Sequence, residues 1–452
     1  MANFQSITFK VLGIGALALL MLIPLSQVNR LIDERTSLRD QALQSISDGW
    51  GGTQMVGNPV LAIPRTLRAP EKTGWVQAQD ANGNPIAQPT QTWSAKEDTE
   101  FRLPEQADIG AKLDVEMRHY NIYEAPVYTA HLHMKTHFRA ADLKDLLANE
   151  GGYHADQAEL RVLMSDLRGL REVVSARVNG VDRRFVPTYM VSGISAVAVP
   201  LQREDLGHDI EFEVELQLAG TQRLQFLPLA RTTTVDASAP WGDPSFIGAT
   251  LPAKREVAAK AFTAHWQVLD LNRGFGQVWR ESEVSSASDR MERVAFGVSL
   301  FQPANLYLQN TRAGKYGLLF IALTFIAFFL FEVLKRLRVH PMQYLLVGLA
   351  LSTFYLVLLA FSEQIGFAPA YGLAATAVVL MVGGYSAAVL ATRQAGFLLG
   401  GILALVYGLL YGLVVSEEYS LMIGAVALLA VVALLMFLTR KIDWYSYARS
   451  PA

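Results

Sequence analysis

Two patterns of hydrophobic and polar positions divide the chain. One is unbroken apolarity. Runs of about twenty apolar residues are long enough to cross a hydrocarbon layer of ~30 Å as a helix. Such runs occupy residues 9–28, 316–334, 343–361, 368–390, 396–415 and 420–438. They predict six transmembrane helices, with both termini on one side. The other pattern has period two and lies between the first and second runs. Ile210, Phe212, Val214, Leu216 and Leu218 alternate with Glu211, Glu213, Glu215 and Gln217, as in a strand with one buried face. Leu113, Val115 and Met117 repeat the pattern, Val60 and Ala62 mark a short strand, and residues 171–178, 196–201 and 295–300 are further strand candidates. Residues 140–149 read as a short helix. The predicted fold class is a membrane protein of six transmembrane α-helices. A large, mainly-β domain, sandwich-like or α+β, lies between helices 1 and 2. The expected boundaries are 1–29 for the N-terminal end and first helix, 30–315 for the strand-rich domain, 316–438 for a five-helix bundle and 439–452 for a tail.

Charge follows the same division. Residues 30–315 hold 31 of the 39 Lys and Arg and 36 of the 41 Asp and Glu, which leaves the membrane part nearly free of charge. This excludes a soluble cytoplasmic enzyme, a disordered chain and a strongly basic nucleic-acid binder. Short loops orient the helices. Lys335, Arg336, Arg338, Arg393, Arg440, Lys441 and Arg449 fall on one side, and Glu363, Glu417 and Glu418 on the other. The positive-inside rule places the basic side in the cytoplasm. Both termini are then cytoplasmic and residues 30–315 periplasmic. Arg30, Arg35 and Arg39 oppose this locally, but long domains translocate largely regardless of charge. The first run reads as an uncleaved anchor, because no small-x-small site follows Pro24. Beyond it, charges at helical spacing extend the helix into water until Gly49, Gly51 and Gly52.

The chain has no cysteine, so disulfides and thiolate sites are excluded. His131, His133 and His137 would share one strand face with Lys135, but ~20 Å of extended chain separates the outer two, too far for one ion. Ser192 and Ser195 lack the G-x-S-x-G setting of a nucleophile elbow. Arg183 and Arg184 read as ordinary ion-pair partners. Lys254, Arg255 and Trp266 are the candidate contact with a partner or a lipid headgroup. The plainer reading makes Phe246 and Trp266 core and the two cations surface charges. Glu332, near the end of an apolar helix, is the candidate membrane-boundary charge, paired with Lys335 or Arg336. A proton or ion relay is the sharper alternative. Gly396, Gly400, Gly408 and Gly412 recur at four-residue spacing and suit close helix packing. The stripe drifts around the helix, so only part of it can face one partner. Gly383 and Gly384 could loosen the fourth helix.

Several stretches are similar to one family. They are PSFIGATLPAKREV and FTAHWQV within 244–268, KYGLLFIALTFIAFFLFE at 315–332, HPMQYLLVGLALSTFYLVLLAFSE at 340–363, KIDWY at 441–445, and, near the start, VNRLIDER and VGNPVLAIP. Together they resemble the CreD family, inner-membrane cell-envelope-integrity proteins of Gram-negative bacteria. Gln364 departs from the His expected after that loop's Glu. The resemblance implies tolerance of envelope-directed agents such as colicins and β-lactams, association with the CreBC two-component regulon, and no catalytic site or cofactor. The expected partners are the lipid bilayer and envelope proteins or lipids, not nucleic acid. The leading reading is therefore a non-catalytic periplasmic binding or scaffold domain on a membrane anchor. A small-solute or lipid transporter built on helices 2–6 is its rival, and an enzyme with a site in the outer domain is a third reading.

Overall fold

In the computed structural model the described residues are 2–79, 85–147, 152–188, 194–282, 287–300, 306–335, 339–389, 393–416 and 419–440. The chain divides into two compact units, Gln41–Pro303 and Met1–Asp40 with Ala304–Ala452. Among the described residues the helices are α1 (Ala2–Leu20), α2 (Leu22–Trp50), α3 (Lys144–Leu147), α4 (Ala287–Val294), α5 (Leu306–Lys315), α6 (Gly317–Lys335), α7 (Pro341–Ile365), α8 (Phe367–Val389), α9 (Arg393–Val415) and α10 (Ser420–Thr439).

Among the described residues, five helices are long and apolar enough to cross a membrane: Phe9–Trp50, Pro341–Ile365, Phe367–Val389, Gly396–Val415 and Ser420–Thr439. A sixth arises if α5 and α6, bent by 44° at their junction, form one span. The sequence pattern starts that span at Tyr316. The structure adds α5 before it, whose Gln309, Asn310 and Thr311 lower the hydropathy below that of a spanning helix. Gly51 ends α2 for a steric reason. Its φ is +129°, and a Cβ there would lie 2.7 Å from the Ala219 carbonyl oxygen, so only glycine fits.

Gln41–Pro303 is mainly β, with sheets of four, six and eight strands. The largest runs, in spatial order, Lys254–Ala258, Ala261–Leu269, Thr232–Ala239, Gln106–Tyr120, Tyr123–Phe138, Ile210–Thr221, Leu170–Val178 and Val181–Asp182. The alternation at Ile210–Thr221 is met: Ile210, Phe212, Val214, Leu216 and Leu218 are buried, while Glu211 and Glu215 are exposed. Burying each such apolar side chain contributes roughly 1.5–3 kcal/mol. Within this sheet one described pairing is parallel, Thr232–Ala239 beside Gln106–Tyr120, and joins segments more than a hundred residues apart.

The six-stranded sheet corrects an expectation. Val60 and Ala62 are not a short strand but the start of Val60–Gln79, which pairs antiparallel with Pro85–Arg102 along its length. Only Val60, Leu61 and Ala62 also pair with Glu159–Leu163, and only Glu100–Arg102 with Val278–Arg280. Most of this hairpin is thus a two-stranded ribbon. Pro64, Pro70, Pro85 and Pro89 interrupt the sequence pattern there; the Pro64 carbonyl still accepts from the His154 amide at 2.8 Å, and proline is tolerated along a ribbon whose strands are edges.

Candidate functional site

Period two fixes what the eight-stranded sheet shows to solvent. On Tyr123–Phe138 the inward residues Ala130, Leu132 and Met134 are buried, so His131, His133 and Lys135 face outward. Each imidazole meets its own carboxylate: His131 Nε2 lies 3.0 Å from Asp114, His133 Nε2 2.9 Å from Glu213, and His137 Nε2 3.6 Å from Asp209. The His133 hydrogen bond outweighs the small effect of burial and, with the Lys135 charge, holds the Glu213 carboxyl below the usual range. The face is a row of exposed imidazoles, carboxylates and lysines, with Lys112 opposite His131.

The strand Lys254–Ala258 forms one edge of this sheet, and all five of its residues are exposed. Lys254 sits opposite His265, whose Nδ1 is 2.7 Å from Asp236. Asp236, Ser238, Lys254, Arg255, Glu256 and His265 line a shallow groove of about 320 Å³. Trp266 belongs elsewhere. It follows His265 on a strand and so points to the opposite face, where it is fully buried with its ring 5.8 Å from both Phe246 and Phe296. The grouping of Trp266 with the two cations is therefore corrected. Arg255 lies over the Phe246 ring at 5.9 Å. The double variant Lys254→Ala/Arg255→Ala should keep normal abundance, because exposed charges usually alter stability by under ~0.5 kcal/mol.

A buried charged cluster escaped sequence reasoning. Glu100, nearly inaccessible in a strand, accepts hydrogen bonds from Arg65 (2.8 Å), from Arg102 (2.8 and 3.0 Å) and from the Tyr153 hydroxyl (3.1 Å). Arg102 also forms a bidentate pair with Asp145. That pairing outweighs partial burial and holds the Asp145 carboxyl below the usual range. Arg183 pairs with Asp205 at 3.4 Å. The only signal in the sequence is the i, i+2 spacing of Glu100 and Arg102, which is too common to act on.

In the helical unit Glu332 departs from expectation. It is buried, and it accepts from the Tyr344 hydroxyl at 2.9 Å, from the Val339 amide at 2.8 Å and from Lys10, a cation the sequence reading did not pair with it. The Lys335 side chain and Arg336 lie outside the described residues, as do Arg338, Ser192, Glu417, Glu418, Lys441, Trp444 and Tyr445. The HPMQY stretch has a local explanation. The His340 ring accepts from the Met342 amide, and the Gln343 side chain accepts from the His340 amide. This is a capping box with Pro341 at the first helical position, and it aims Tyr344 at Glu332. A second polar group occupies the far end of α7. Tyr307 and Arg35 meet Glu363 at 3.0 and 3.7 Å, and buried Asn310 donates to Ser362 at 3.0 Å. From Tyr344 to Glu363 is nineteen residues, roughly 28 Å at 1.5 Å each, close to the hydrocarbon thickness of ~30 Å.

The glycine stripe of α9 splits. A Cβ on Gly396 would lie 2.7 Å from the Gly383 carbonyl oxygen, and one on Gly400 would lie 3.9 Å from the Gly383 Cα. Those two glycines therefore pack on α8, and Gly383 is a contact within a continuous helix rather than a break. Gly408 and Gly412 have nothing within 4 Å of the Cβ position.

The model of the CreD family, described as inner membrane protein CreD, matches residues 6–445. Inner membrane protein CreD of Escherichia coli (strain K12) is 34% identical over 444 residues, which cover 97% of this chain and 94% of that protein.

Proposed function

Because the chain belongs to the CreD family of inner membrane proteins, we propose that it maintains the cell envelope without catalysis, through binding or scaffolding by a periplasmic strand-rich domain. One observation carries the reading. The eight-stranded sheet builds the core with one face and leaves the other exposed as a lattice of charged groups. Such a face offers charge and hydrogen bonds to an envelope protein or lipid without a deep cleft. In this reading residues 30–315 are periplasmic, both termini are cytoplasmic, and activity appears as tolerance of colicins or β-lactams within the CreBC regulon. Glu332 supports a structural rather than a relay role, since Lys10, Tyr344 and the Val339 amide already satisfy its carboxylate. The test is photocrosslinking in cells from Lys254 and His133. An adduct with an envelope component supports the reading. No adduct from either position at normal abundance would oppose it.

Orientation is checked separately. The absence of native cysteine makes single cysteines clean reporters. Cysteine at Gln364, at the end of α7, should react with an impermeant thiol reagent in intact spheroplasts. Cysteine at Arg393, at the start of α9, should react only after lysis. The reverse pattern would invert the topology.

A further inference from the structure

We propose that a hollow at the junction of the six- and eight-stranded sheets binds a phosphate group, held by Arg139 and Arg231. The hollow is lined by three guanidinium groups, Arg102, Arg139 and Arg231, and by two carboxylates, Glu105 and Asp142. Each cation stands where a strand begins or ends. Arg102 closes Pro85–Arg102, Arg139 follows Tyr123–Phe138, and Arg231 precedes Thr232–Ala239. Backbone amides pin these ends together. Leu103 donates to Gln277, Arg231 to Pro104 and Thr232 to Glu105 at 3.0 Å, and Glu105 donates to His137 at 2.9 Å. A fixed frame, rather than a free loop, therefore carries the three side chains. It lies at the strand ends, apart from the exposed sheet face on which the proposed function rests.

The cations are not equally committed. Arg102 is taken up by Glu100 and Asp145. Arg231 donates through Nε to Glu105 at 2.7 Å, and its two Nη groups make no hydrogen bond to a described residue. Arg139 donates through Nε to Asp142 at 3.2 Å, and its Nη2 lies 3.1 Å from Glu105. Two partly used guanidinium forks thus meet at one carboxylate. Arg273 supplies an independent sign. It is 5% exposed, yet its Nε and Nη2 have no acceptor among the described residues, while Nη1 donates to the Pro228 carbonyl at 3.1 Å. Burial pushes the Arg273 pKa down to about 10; the Asp270 charge opposes that shift and the Arg231 charge adds to it. Gln277 joins the two places. It lines the hollow, its Nε2 donates to Asp270 at 3.4 Å, and its buried Oε1 has no donor among the described residues. These unmet groups select the ligand. A carboxylate would only match the charge Glu105 already supplies. A phosphate group brings a charge of about −1.5 to −2 and three acceptor oxygens, enough to engage both forks. Its singly protonated form also carries an O–H for Gln277 Oε1.

The full chain in a non-ionic detergent, titrated with inorganic phosphate at constant ionic strength and followed by the phosphorus NMR line width, tests the proposal. The wild type should broaden the line saturably. Arg139→Gln/Arg231→Gln should weaken binding by about tenfold or more, through loss of charge-assisted hydrogen bonds. Circular dichroism checks that this variant is folded. Arg231→Lys, which keeps the charge without the planar fork, should bind several-fold more weakly than the wild type. Arg273→Met should also weaken binding, yet raise the thermal midpoint in phosphate-free buffer, because it removes a buried charge with unmet donors. Arg177→Gln, which loses an exposed pair with Asp182, should leave binding unchanged. Glycerol phosphate separates two sources of the group. Tighter binding than inorganic phosphate assigns the hollow to a phosphorylated headgroup, and equal or weaker binding assigns it to free phosphate. Absence of saturable broadening with the wild type would overturn the proposal. Binding unchanged in both Arg231 variants would do the same, as would displacement of phosphate by acetate at matched concentration.

Discussion

Glu100→Gln should destabilise the strand-rich unit by roughly 3–5 kcal/mol, the range for removing one partner of a buried ion pair. The carboxylate is 4% exposed and lies within hydrogen-bond distance of two guanidinium groups. Glutamine keeps the shape but leaves the Arg65 guanidinium beside a neutral amide in a site closed to water. Arg102 retains Asp145 as a counter-charge, so Arg65 carries most of the loss. The Tyr153 ring stacks on both arginines, 4.8 and 5.8 Å from their guanidinium carbons, and should loosen with them. Denaturant unfolding of the full chain in detergent, followed by the β-sheet circular dichroism signal, measures the effect. Arg118→Ala removes an exposed ion pair with Glu116 and serves as comparison, with an expected change of under ~1 kcal/mol. Equal effects from both variants would show that the Glu100 cluster is as solvated as the surface.

Trp266→Ala should cost about 3–5 kcal/mol, as truncation of a buried aromatic leaves a cavity in a packed core. The indole is fully buried, and its Nε1 hydrogen has no acceptor among the described residues. Trp266→Phe should therefore be much milder. It keeps most of the packing against Phe246 and Phe296 and removes a donor whose burial without a partner costs about 1–3 kcal/mol. Thermal unfolding of the two variants separates the roles of Trp266. A Trp266→Ala protein as stable as the wild type would return the residue to a contact surface.

These two residues mark where sequence reasoning reached its limit. The alternation in 210–218 and the long apolar runs were legible because each encodes a local period, two for a strand with one buried face and about twenty residues for a spanning helix. The family resemblance was legible for a related reason: HPMQY and KREV are contiguous. Trp266 was ambiguous because its face depends on the register of Ala261–Leu269 against Thr232–Ala239, and a shift of one residue would have turned it to solvent. The prolines of 64–89 hid a long ribbon whose partner strand is needed to make it a strand at all.

By itself the sequence determined the class of the protein: the apolar spans, a large strand-rich stretch, and the family. These follow from hydrophobic period and length, which act within a few turns or strand residues. Only the tertiary structure decided which charges meet. Lys10 reaches Glu332 across 322 residues, Glu100 gathers Arg65 and Tyr153, and two stretches of α8 and α9 frame a groove. The physical reason is the same in each case. A buried charge or an open slot is a property of segments brought together by folding, and no periodicity along one segment records its partner.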